Sequence, residues 1–223
     1  MKKNSQRVSG KNFKEFCGKP LFHWVLDTLL SIEQIDQVII NTDARETLAQ
    51  FSICESDKLI IRDRPLELRG DSVSMNLVLA NDIQATPADI YLMTHTTNPF
   101  ITKTTILGAV EKFQLESARA GVDSLFTVDK IQSRFYRASG IPINHDPNNL
   151  IPTQDLEPWF EENSNLYIFT KDSFQKARAR IGMKPIMFES PRFESIDMDT
   201  PDDWEFAVVA ANYLQTKNVK GVV

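Results

Sequence analysis

Apolar positions along the chain alternate between two spacings, one typical of short buried strands and the other of amphipathic helices. Short apolar runs predict strands at 37–41, 58–61, 89–93, 124–128, 165–169 and 185–188, with a shorter strand at 195–196. Helical spacing predicts helices at 20–29, 44–51, 72–83, 102–115, 171–181 and 201–214. Strands and helices that alternate in this way favour parallel pairing with right-handed crossovers. The expected fold is α/β, with three layers and a mainly parallel sheet.

The alternation stops after Val128. Gly140 to Glu162 is rich in Pro, Asn and Asp, and predicts a loop-and-hairpin insertion. We therefore expect a single domain over residues 1–223, with residues 130–164 as a dimerisation or lid insertion. Trp159 and Phe160 are large aromatic residues in this region, and they predict either a dimer contact or an isolated surface cluster. The chain is expected to fray over Asn218 to Val223.

Composition excludes several classes of protein. A net charge of −5, with 25% charged and 42% hydrophobic residues, is that of an ordinary soluble globular protein and gives no reason to expect nucleic acid as a partner. The longest apolar runs fall well short of the roughly 20 residues that span a bilayer, and Asn4 to Gly10 is too polar for a signal peptide. Cys17 and Cys54 cannot form a disulfide framework, so we expect a reduced, cytoplasmic setting.

A basic, polar segment opens the chain, with the sequence Lys-Lys-Asn-Ser-Gln-Arg-Val-Ser-Gly-Lys-Asn over residues 2–12. Cations and small polar side chains in one short loop suit an anionic phosphate chain, and Gly10 lets the backbone turn. The alternative interpretation is a solvated N-terminal tail.

The position of this loop is unusual because no predicted strand precedes it. In open parallel sheets, ligands lie beyond the carboxyl ends of the strands, and a phosphate loop follows the end of a first, central strand. That strand is apparently absent from this chain, which would leave its neighbours with unpaired edges. Two explanations remain open: a protein that has lost catalysis, or translation that starts upstream.

Asp197 and Asp199 form the second signal. Alternate residues of an extended segment point the same way, so the two carboxylates would lie on one side of the chain. Such a pair suits Mg²⁺, which binds one or two carboxylates and completes its shell with phosphate and water. Asp199 or Thr200 could instead cap a helix that opens at Pro201, but a helix cap does not explain Asp197.

Taken in order, these motifs resemble the acylneuraminate cytidylyltransferase family, the CMP-sialic acid synthetase-like enzymes. The similarity runs over nearly the whole chain, and the ordered set of segments is more specific than any one of them. The segments that carry it are 3–5, 10–12, 16–21, 64–68 with Asp71, 154–156, 162–168 and 195–201.

The resemblance implies a Rossmann-like nucleotidyltransferase fold and a specific reaction. A sialic-acid-like 2-keto-3-deoxy sugar acid would attack the α-phosphorus of CTP, giving a CMP-sugar and pyrophosphate, in a homodimer that pairs through the insertion. Catalysis would rest on positioning and electrostatic stabilisation. The implied catalytic residues are Lys11, Asp197 and Asp199, with Mg²⁺ held by the two aspartates. The implied substrate-binding residues are Lys2, Asn4, Ser5, Asn12, Arg64 (beside the cytosine), His95, Gln154 and Asn163.

The chain departs from the family at three positions. Lys2 replaces an arginine, His95 stands where sialic acid enzymes tend to have a glutamine, and Thr153 replaces a frequent arginine. The last two changes fall on the presumed sugar side, so we expect a relative of sialic acid; the alternative for His95 is a strand-end histidine bonded to the backbone. Alternative functions are a 3-deoxy-manno-octulosonate cytidylyltransferase or a catalytically impaired nucleotide-binding protein.

Overall fold

A computed structural model describes residues 1–219, and side chains as far as residue 216. Residues 220–223, the end of the segment predicted to fray, lie outside the described residues. The helices are α1 (Leu21–Leu30), α2 (Arg45–Gln50), α3 (Met75–Ala85), α4 (Lys103–Ala120), α5 (Lys171–Ala177) and α6 (Pro201–Val219). The strands are β1 (Glu15–Phe16), β2 (Lys19–Pro20), β3 (Val38–Thr42), β4 (Leu59–Asp63), β5 (Tyr91–Thr94), β6 (Ser124–Ile131), β7 (Trp159–Phe169) and β8 (Pro185–Glu189). No helix within residues 1–219 is long and apolar enough to cross a membrane.

The main strands form two separate sheets. One has four strands in the order β5-β7-β6-β8, and the other pairs β3 with β4 in parallel. Within the larger sheet, β6 and β8 are parallel, whereas β7 runs antiparallel to both of its neighbours. The α/β prediction is confirmed. The larger sheet is mixed because β7 returns through the insertion between residues 131 and 159 rather than through a crossover helix.

The predicted short strand at Ser195 and Ile196 is wrong. Ser195 ends a turn and Ile196 has no regular secondary structure, so side chains hold this segment instead of a β-ladder. The Ser195 hydroxyl donates to the Asp129 carboxylate at 2.6 Å, and the Asn163 amide donates to Ser195 Oγ at 3.0 Å. Further along, the Met198 amide donates to the carbonyl of Thr97 at 3.0 Å. The segment from Ser195 to Met198 is thus fixed to the loop that follows β5.

A slot lies between the two sheets, bounded by β3 on one side and β5 on the other. The two strands share no ladder, and a cavity of about 1780 Å³ is lined by both of them and by helices α1, α3 and α4. Ile39 and Ile40 of β3 and Leu92 of β5 are only half-buried, although they are apolar residues of inner strands.

One apolar cluster brings the two ends of the chain together. It contains Val8, Phe16, Leu21, Met198, Trp204, Ala207 and Ala211, and we call it the terminal cluster. The ring of Phe16 makes edge contacts with Trp24, Phe100 and Trp204 at centroid distances of 5.6–6.0 Å. Because Val8 belongs to the basic loop and Met198 lies between the two aspartates, this packing positions both motifs together.

Candidate active site

The basic segment is a folded loop held at both ends. At its start, the Lys2 ammonium lies 2.6 Å from an Asp71 carboxylate oxygen, and the Lys3 amide donates to Asp43 at 2.6 Å. At its end, Gly10 adopts a left-handed φ of 59° and opens a short 3₁₀ turn over Lys11–Phe13. Nothing lies within 4 Å of a Cβ added at Gly10, so backbone conformation rather than space favours glycine there.

A tight hairpin follows the loop and fixes its exit. Strands β1 and β2 pair in antiparallel fashion across Cys17 and Gly18, whose φ angles are 49° and 92°. Positive φ at both central residues is the geometry of a type I′ turn, one of the two that commonly join two-residue hairpins. The indole of Trp24 donates to the carbonyl of Phe16 at 2.9 Å and ties this hairpin to α1.

Asn12 connects the start of the loop to the end of β5. Its amide nitrogen donates to the carbonyl of Lys2 at 2.8 Å, and its amide oxygen accepts from the Thr96 hydroxyl at 2.6 Å. The side chain is buried, so both of its polar atoms serve to hold the loop. The structure therefore gives Asn12 a positioning role at the cavity wall.

Lys11 and Asp199 meet although they lie 188 positions apart in the sequence. The Lys11 ammonium is 2.8 Å from one carboxylate oxygen, and the Arg7 guanidinium is 2.7 Å from the other. Lys11 is only 7% exposed, so its charge depends on this partner. Burial opposes ionisation of Asp199, but Lys11 and Arg7 outweigh it and hold the pKa of Asp199 below its ordinary value.

Asp197 has the opposite electrostatic character. Burial raises the pKa of Asp197 above its ordinary value, although a hydrogen bond with Thr97 acts to lower it. Its Oδ1 atom is buried and has no hydrogen-bond partner. Met198, fully buried in the terminal cluster, separates the two aspartates and anchors the segment that carries them.

Of the two residues considered as caps for α6, Thr200 caps the helix and the Asp199 side chain does not. The Thr200 hydroxyl accepts from the Asp203 amide at 3.2 Å, and the Asp203 carboxylate accepts from the Thr200 amide at 2.7 Å. This is the reciprocal pattern of a capping box. The side chains of Asp197 and Asp199 are not needed to start α6, and both residues line the cavity.

The two carboxylates form a donor set that suits a hard divalent cation. Within the described residues, no group of three or more His, Cys, Asp or Glu side chains could hold a metal ion. A site with two carboxylates fits Mg²⁺ when phosphate and water complete the shell. The unpartnered Oδ1 of Asp197 is the atom that such an ion would satisfy.

Arg64 lies buried at the carboxyl end of β4. Its guanidinium donates to the side-chain oxygen of Asn41 at 2.6 Å and to the Asn41 carbonyl at 3.1 Å. The Asn41 amide in turn donates to Asp82 at 2.8 Å. Burial lowers the pKa of Arg64, with the Asp43 and Asp82 carboxylates opposing the effect. Arg64 therefore lines the cavity while its guanidinium bonds to a neutral amide and not to a carboxylate.

His95 follows β5 and contacts a side chain rather than the backbone. Its Nε2 lies 3.5 Å from Nη1 of Arg180, a contact that a neutral imidazole makes by accepting from the guanidinium. Burial, helped by the nearby Arg180 charge, lowers the pKa of His95 to about 4. The imidazole is therefore uncharged near neutral pH.

Arg180 is a cavity residue that the sequence did not indicate. Its guanidinium lies 3.8 Å from the ring centre of Tyr167 and 3.3 Å from Glu162. The helix predicted over 171–181 would place Arg180 on a helix surface. The structure ends α5 at Ala177, because Arg178 adopts a left-handed φ of 54°, and the following residues turn into the cavity.

Most of the predicted site residues line one cavity. They are Lys2, Asn4, Ser5, Lys11, Asn12, Arg64, His95, Asp197 and Asp199, joined by Arg7 and Arg180. The lining residues do not include Gln154 or Asn163. Gln154 lies in a short turn, where its carbonyl accepts from Gln132, and Asn163 donates to Asp129, Ser190 and Ser195. Substrate binding by these two residues stays a prediction.

Comparison with known proteins agrees with this geometry. A family model described as cytidylyltransferase matches residues 1–200. The chain belongs to the cytidylyltransferase family. The resemblance recognised in the sequence is thereby confirmed.

Two curated members of the cytidylyltransferase family are similar at low identity. An N-acylneuraminate cytidylyltransferase from Oncorhynchus mykiss is 25% identical over 213 residues, covering 91% of this chain and 47% of that protein. The chain thus spans about half the length of that relative. A pseudaminic acid cytidylyltransferase from Campylobacter jejuni is 23% identical over 216 residues, covering 92% of this chain and 90% of that protein.

Two solved structures show the nucleotidyltransferase-like fold. A CMP:2-keto-3-deoxy-manno-octonic acid synthetase complexed with CTP has a TM-score of 0.65 at 17% identity, covering 97% of this chain and 96% of that chain. A 4-diphosphocytidyl-2C-methyl-D-erythritol synthase from Anaerococcus prevotii has a TM-score of 0.65 at 15% identity, covering 94% of both chains.

The pKa of His95 predicts a pH dependence of stability. Because the folded state lowers this pKa from 6.5 to about 4, only the unfolded chain takes up the proton between these values, and stability falls as pH drops through that window. We expect His95→Gln to lose less unfolding free energy than the parent between about pH 7 and about pH 5. Urea unfolding at both pH values measures this, with His145→Gln, in the insertion, as the matched control. If the parent and His95→Gln lost equal amounts of unfolding free energy, the lowered pKa of His95 would be contradicted.

Proposed function

We propose that this protein transfers CMP from CTP to a sialic-acid-like 2-keto-3-deoxy sugar acid. A hydroxyl oxygen of the sugar attacks the α-phosphorus, the bond from that phosphorus to the bridging oxygen breaks, and pyrophosphate leaves. The observation that carries the proposal is the single cavity in which Lys11 of the basic loop meets the Asp197–Asp199 segment. Membership of the cytidylyltransferase family supports the reaction class. The cavity offers basic residues for the triphosphate and two carboxylates for a metal ion.

The basic loop would receive the triphosphate. Lys2, Arg7 and Lys11 bring three cations to one wall of the cavity, and Ser5 adds a hydroxyl. Negative charge develops on the transferring group and on the departing pyrophosphate, so fixed cations there stabilise the transition state. Asn12 keeps this loop against Thr96, so the cations need little reorganisation when substrate binds.

The two aspartates would hold Mg²⁺. When bound, the ion would acidify the attacking hydroxyl and screen the repulsion between two anionic substrates. Of the two carboxylates, Asp197 is the better proton acceptor because burial raises its pKa, whereas Lys11 and Arg7 keep Asp199 ionised. Asp197 would thus accept the proton, and Asp199 would supply a fixed negative charge.

The sugar acid would lie near Arg180 and His95. A guanidinium offers two parallel donors to a carboxylate, and the stack on Tyr167 fixes its plane. Neutral His95 can donate or accept beside it without adding charge. Arg64, buried beside Met1 at the start of the basic loop, is the residue proposed to lie by the cytosine.

Three related sugar acids are candidates for the acceptor substrate. The curated relatives are named for N-acylneuraminate and pseudaminic acid, and one structural relative is named for 2-keto-3-deoxy-manno-octonic acid. We favour a relative of sialic acid because His95 stands where sialic acid enzymes tend to have glutamine. The proposed setting is cytoplasmic, where the free thiols of Cys17 and Cys54 stay reduced.

Removing either carboxylate is expected to abolish turnover. Asp197→Asn and Asp199→Asn should each lower Mg²⁺-dependent pyrophosphate release from CTP by at least about 100-fold, since each loses a metal ligand. The assay uses a panel of the three sugar acids named above, and Asp202→Asn, exposed on the first turn of α6, is the matched control. A near-normal rate in either variant would remove the metal assignment. No release from the parent with any acid would favour an impaired nucleotide-binding protein.

We expect Arg180 to contribute to binding of the sugar acid and not to binding of CTP. Arg180→Lys keeps the charge but loses the planar fork, so we expect KM for the sugar acid to rise by about 10-fold or more. The KM for CTP should stay within about twofold, because the basic loop is untouched. Steady-state kinetics with each substrate varied measures both, and the exposed Arg178→Lys is the control. An equal rise in both constants would count against this role.

We also propose a homodimer through the insertion. Tyr136, Ile141, Trp159 and Phe160 are 37–57% exposed there, which is a large apolar surface for a hairpin and its loop. Sedimentation velocity across a range of concentrations should show a monomer–dimer equilibrium that Phe160→Ser shifts toward monomer. A parent that stays monomeric throughout would reject the dimer.

A further inference from the structure

Arg64 is held by a series of polar side chains to which the proposed function gives no role. Its Nε donates to the Asn41 side-chain oxygen at 2.6 Å, and the Asn41 amide nitrogen donates to Oδ1 of Asp82 at 2.8 Å. The same Asp82 oxygen accepts from Arg62 at 2.7 Å. Buried cations are usually paired with carboxylates, whereas the side-chain partner of Arg64 is a neutral amide. We call these four residues the Asn41 network.

The register of β3 and β4 brings the Asn41 network together. Asn41 lies opposite Arg62 in the parallel ladder, and the Arg64 amide extends that ladder by donating to the Thr42 carbonyl at 2.7 Å. Alternate residues of a strand point the same way, so Arg62 and Arg64 lie on one face of the sheet. Asp82 reaches the network from α3. Asn41 is therefore fixed between an acceptor on the helix and a donor at the end of β4.

Asp82 determines which way the Asn41 amide points. Oδ1 of Asp82 already accepts from Arg62, so it can receive only the NH₂ end of the amide. The guanidinium of Arg64 has donors and no acceptor, so it requires the oxygen end. A reversed amide would set two donors against each other at Arg64 and two acceptors against each other at Asp82. Asp82 thus acts on Arg64 through the orientation of Asn41.

The Asn41 network leaves one nitrogen of Arg64 for a ligand. Nε donates to the Asn41 side chain and Nη2 to the Asn41 carbonyl at 3.1 Å, which together fix the plane of the guanidinium. Within residues 1–219, Nη1 has no hydrogen-bond partner, and it is not sealed from solvent. Because Arg64 lines the cavity, the two N–H groups of Nη1 are available to a molecule bound there.

We propose that Asn41 and Asp82 are positioning residues that orient Arg64 so that its Nη1 contacts the nucleotide base and favours cytosine over uracil. Nη1 would donate to N3 of cytosine, an acceptor that lies beside the acceptor O2. In uracil N3 carries a hydrogen, so a fixed Nη1 would meet a donor and both groups would lose a bond. A guanidinium that could rotate would turn to an oxygen of either base and discriminate less. The inference rests on the proposed function only in taking CTP as the nucleotide.

Equilibrium binding of CTP, UTP and inorganic tripolyphosphate tests this role without any turnover. The two nucleotides carry the same ribose and triphosphate, so the ratio of their dissociation constants reports the base alone. The parent should bind CTP at least about 10-fold more tightly than UTP. Asn41→Leu removes the acceptor at Arg64, and Asp82→Asn lets the amide turn over. Each should reduce the ratio by at least about threefold.

Tripolyphosphate and a matched variant separate positioning from a general loss of structure. Tripolyphosphate has no base, so Asn41→Leu, which changes no charge, should bind it within about twofold of the parent. Asn81→Ala is the matched control because the Asn81 side chain bonds to Arg62, one step further from Arg64. This control should keep the ratio of the parent. If Asn41→Leu does not fold, Asp82→Asn, which keeps nearly the same shape, decides the test.

Three outcomes would overturn the proposal. They are a parent that binds CTP and UTP equally, variants that keep the ratio of the parent, and an equal loss of affinity for all three ligands. The last would show that the Asn41 network supports the fold and not the choice of base. Failure of the proposed function would look different. A parent that prefers CTP but releases no pyrophosphate with any sugar acid would support the role of Asn41 and count against the transfer reaction.

Discussion

The ion pair between Lys11 and Asp199 is the interaction on which the site depends. It joins a residue near the start of the chain to one near its end at 2.8 Å, and it leaves Lys11 almost fully buried. A buried ammonium is stable only with its counter-charge in place, so loss of either partner would free the other. Val8 and Met198 pack in the terminal cluster just behind this pair. The basic loop and the aspartate segment therefore form one structural unit.

Hydrophobic periodicity predicted most of the fold because it reports burial, and burial decides which segments become inner strands and core helices. All six helices that the spacing indicated begin within three residues of their predicted starts, and β3, β4, β5 and β8 lie where apolar runs placed them. Ser195 and Ile196 form no strand, and the Ser195 hydroxyl, which lies in a turn, is held by Asp129 and Asn163, two residues distant in the sequence.

The sequence predicted those site residues that belong to a recognisable motif. It did not predict those that reach the cavity only because of how the backbone turns. Asp197 and Asp199 stood out by spacing alone, and the basic loop by composition. Arg180 did not, because the sequence gives no sign that Arg178 ends α5 with a left-handed turn. The sequence also left open whether Asp199 or Thr200 caps α6, and the structure shows a reciprocal capping box between Thr200 and Asp203.

The double engagement of Asp199 has a consequence for how an anionic ligand would enter. Its carboxylate already neutralises Arg7 and Lys11, so the cavity without substrate carries paired charges and not bare ones. An anionic ligand that entered the cavity would compete with Asp199 for both cations. Each cation would then exchange one anionic partner for another. The attraction gained on binding would therefore be offset by the ion pairs that it replaces.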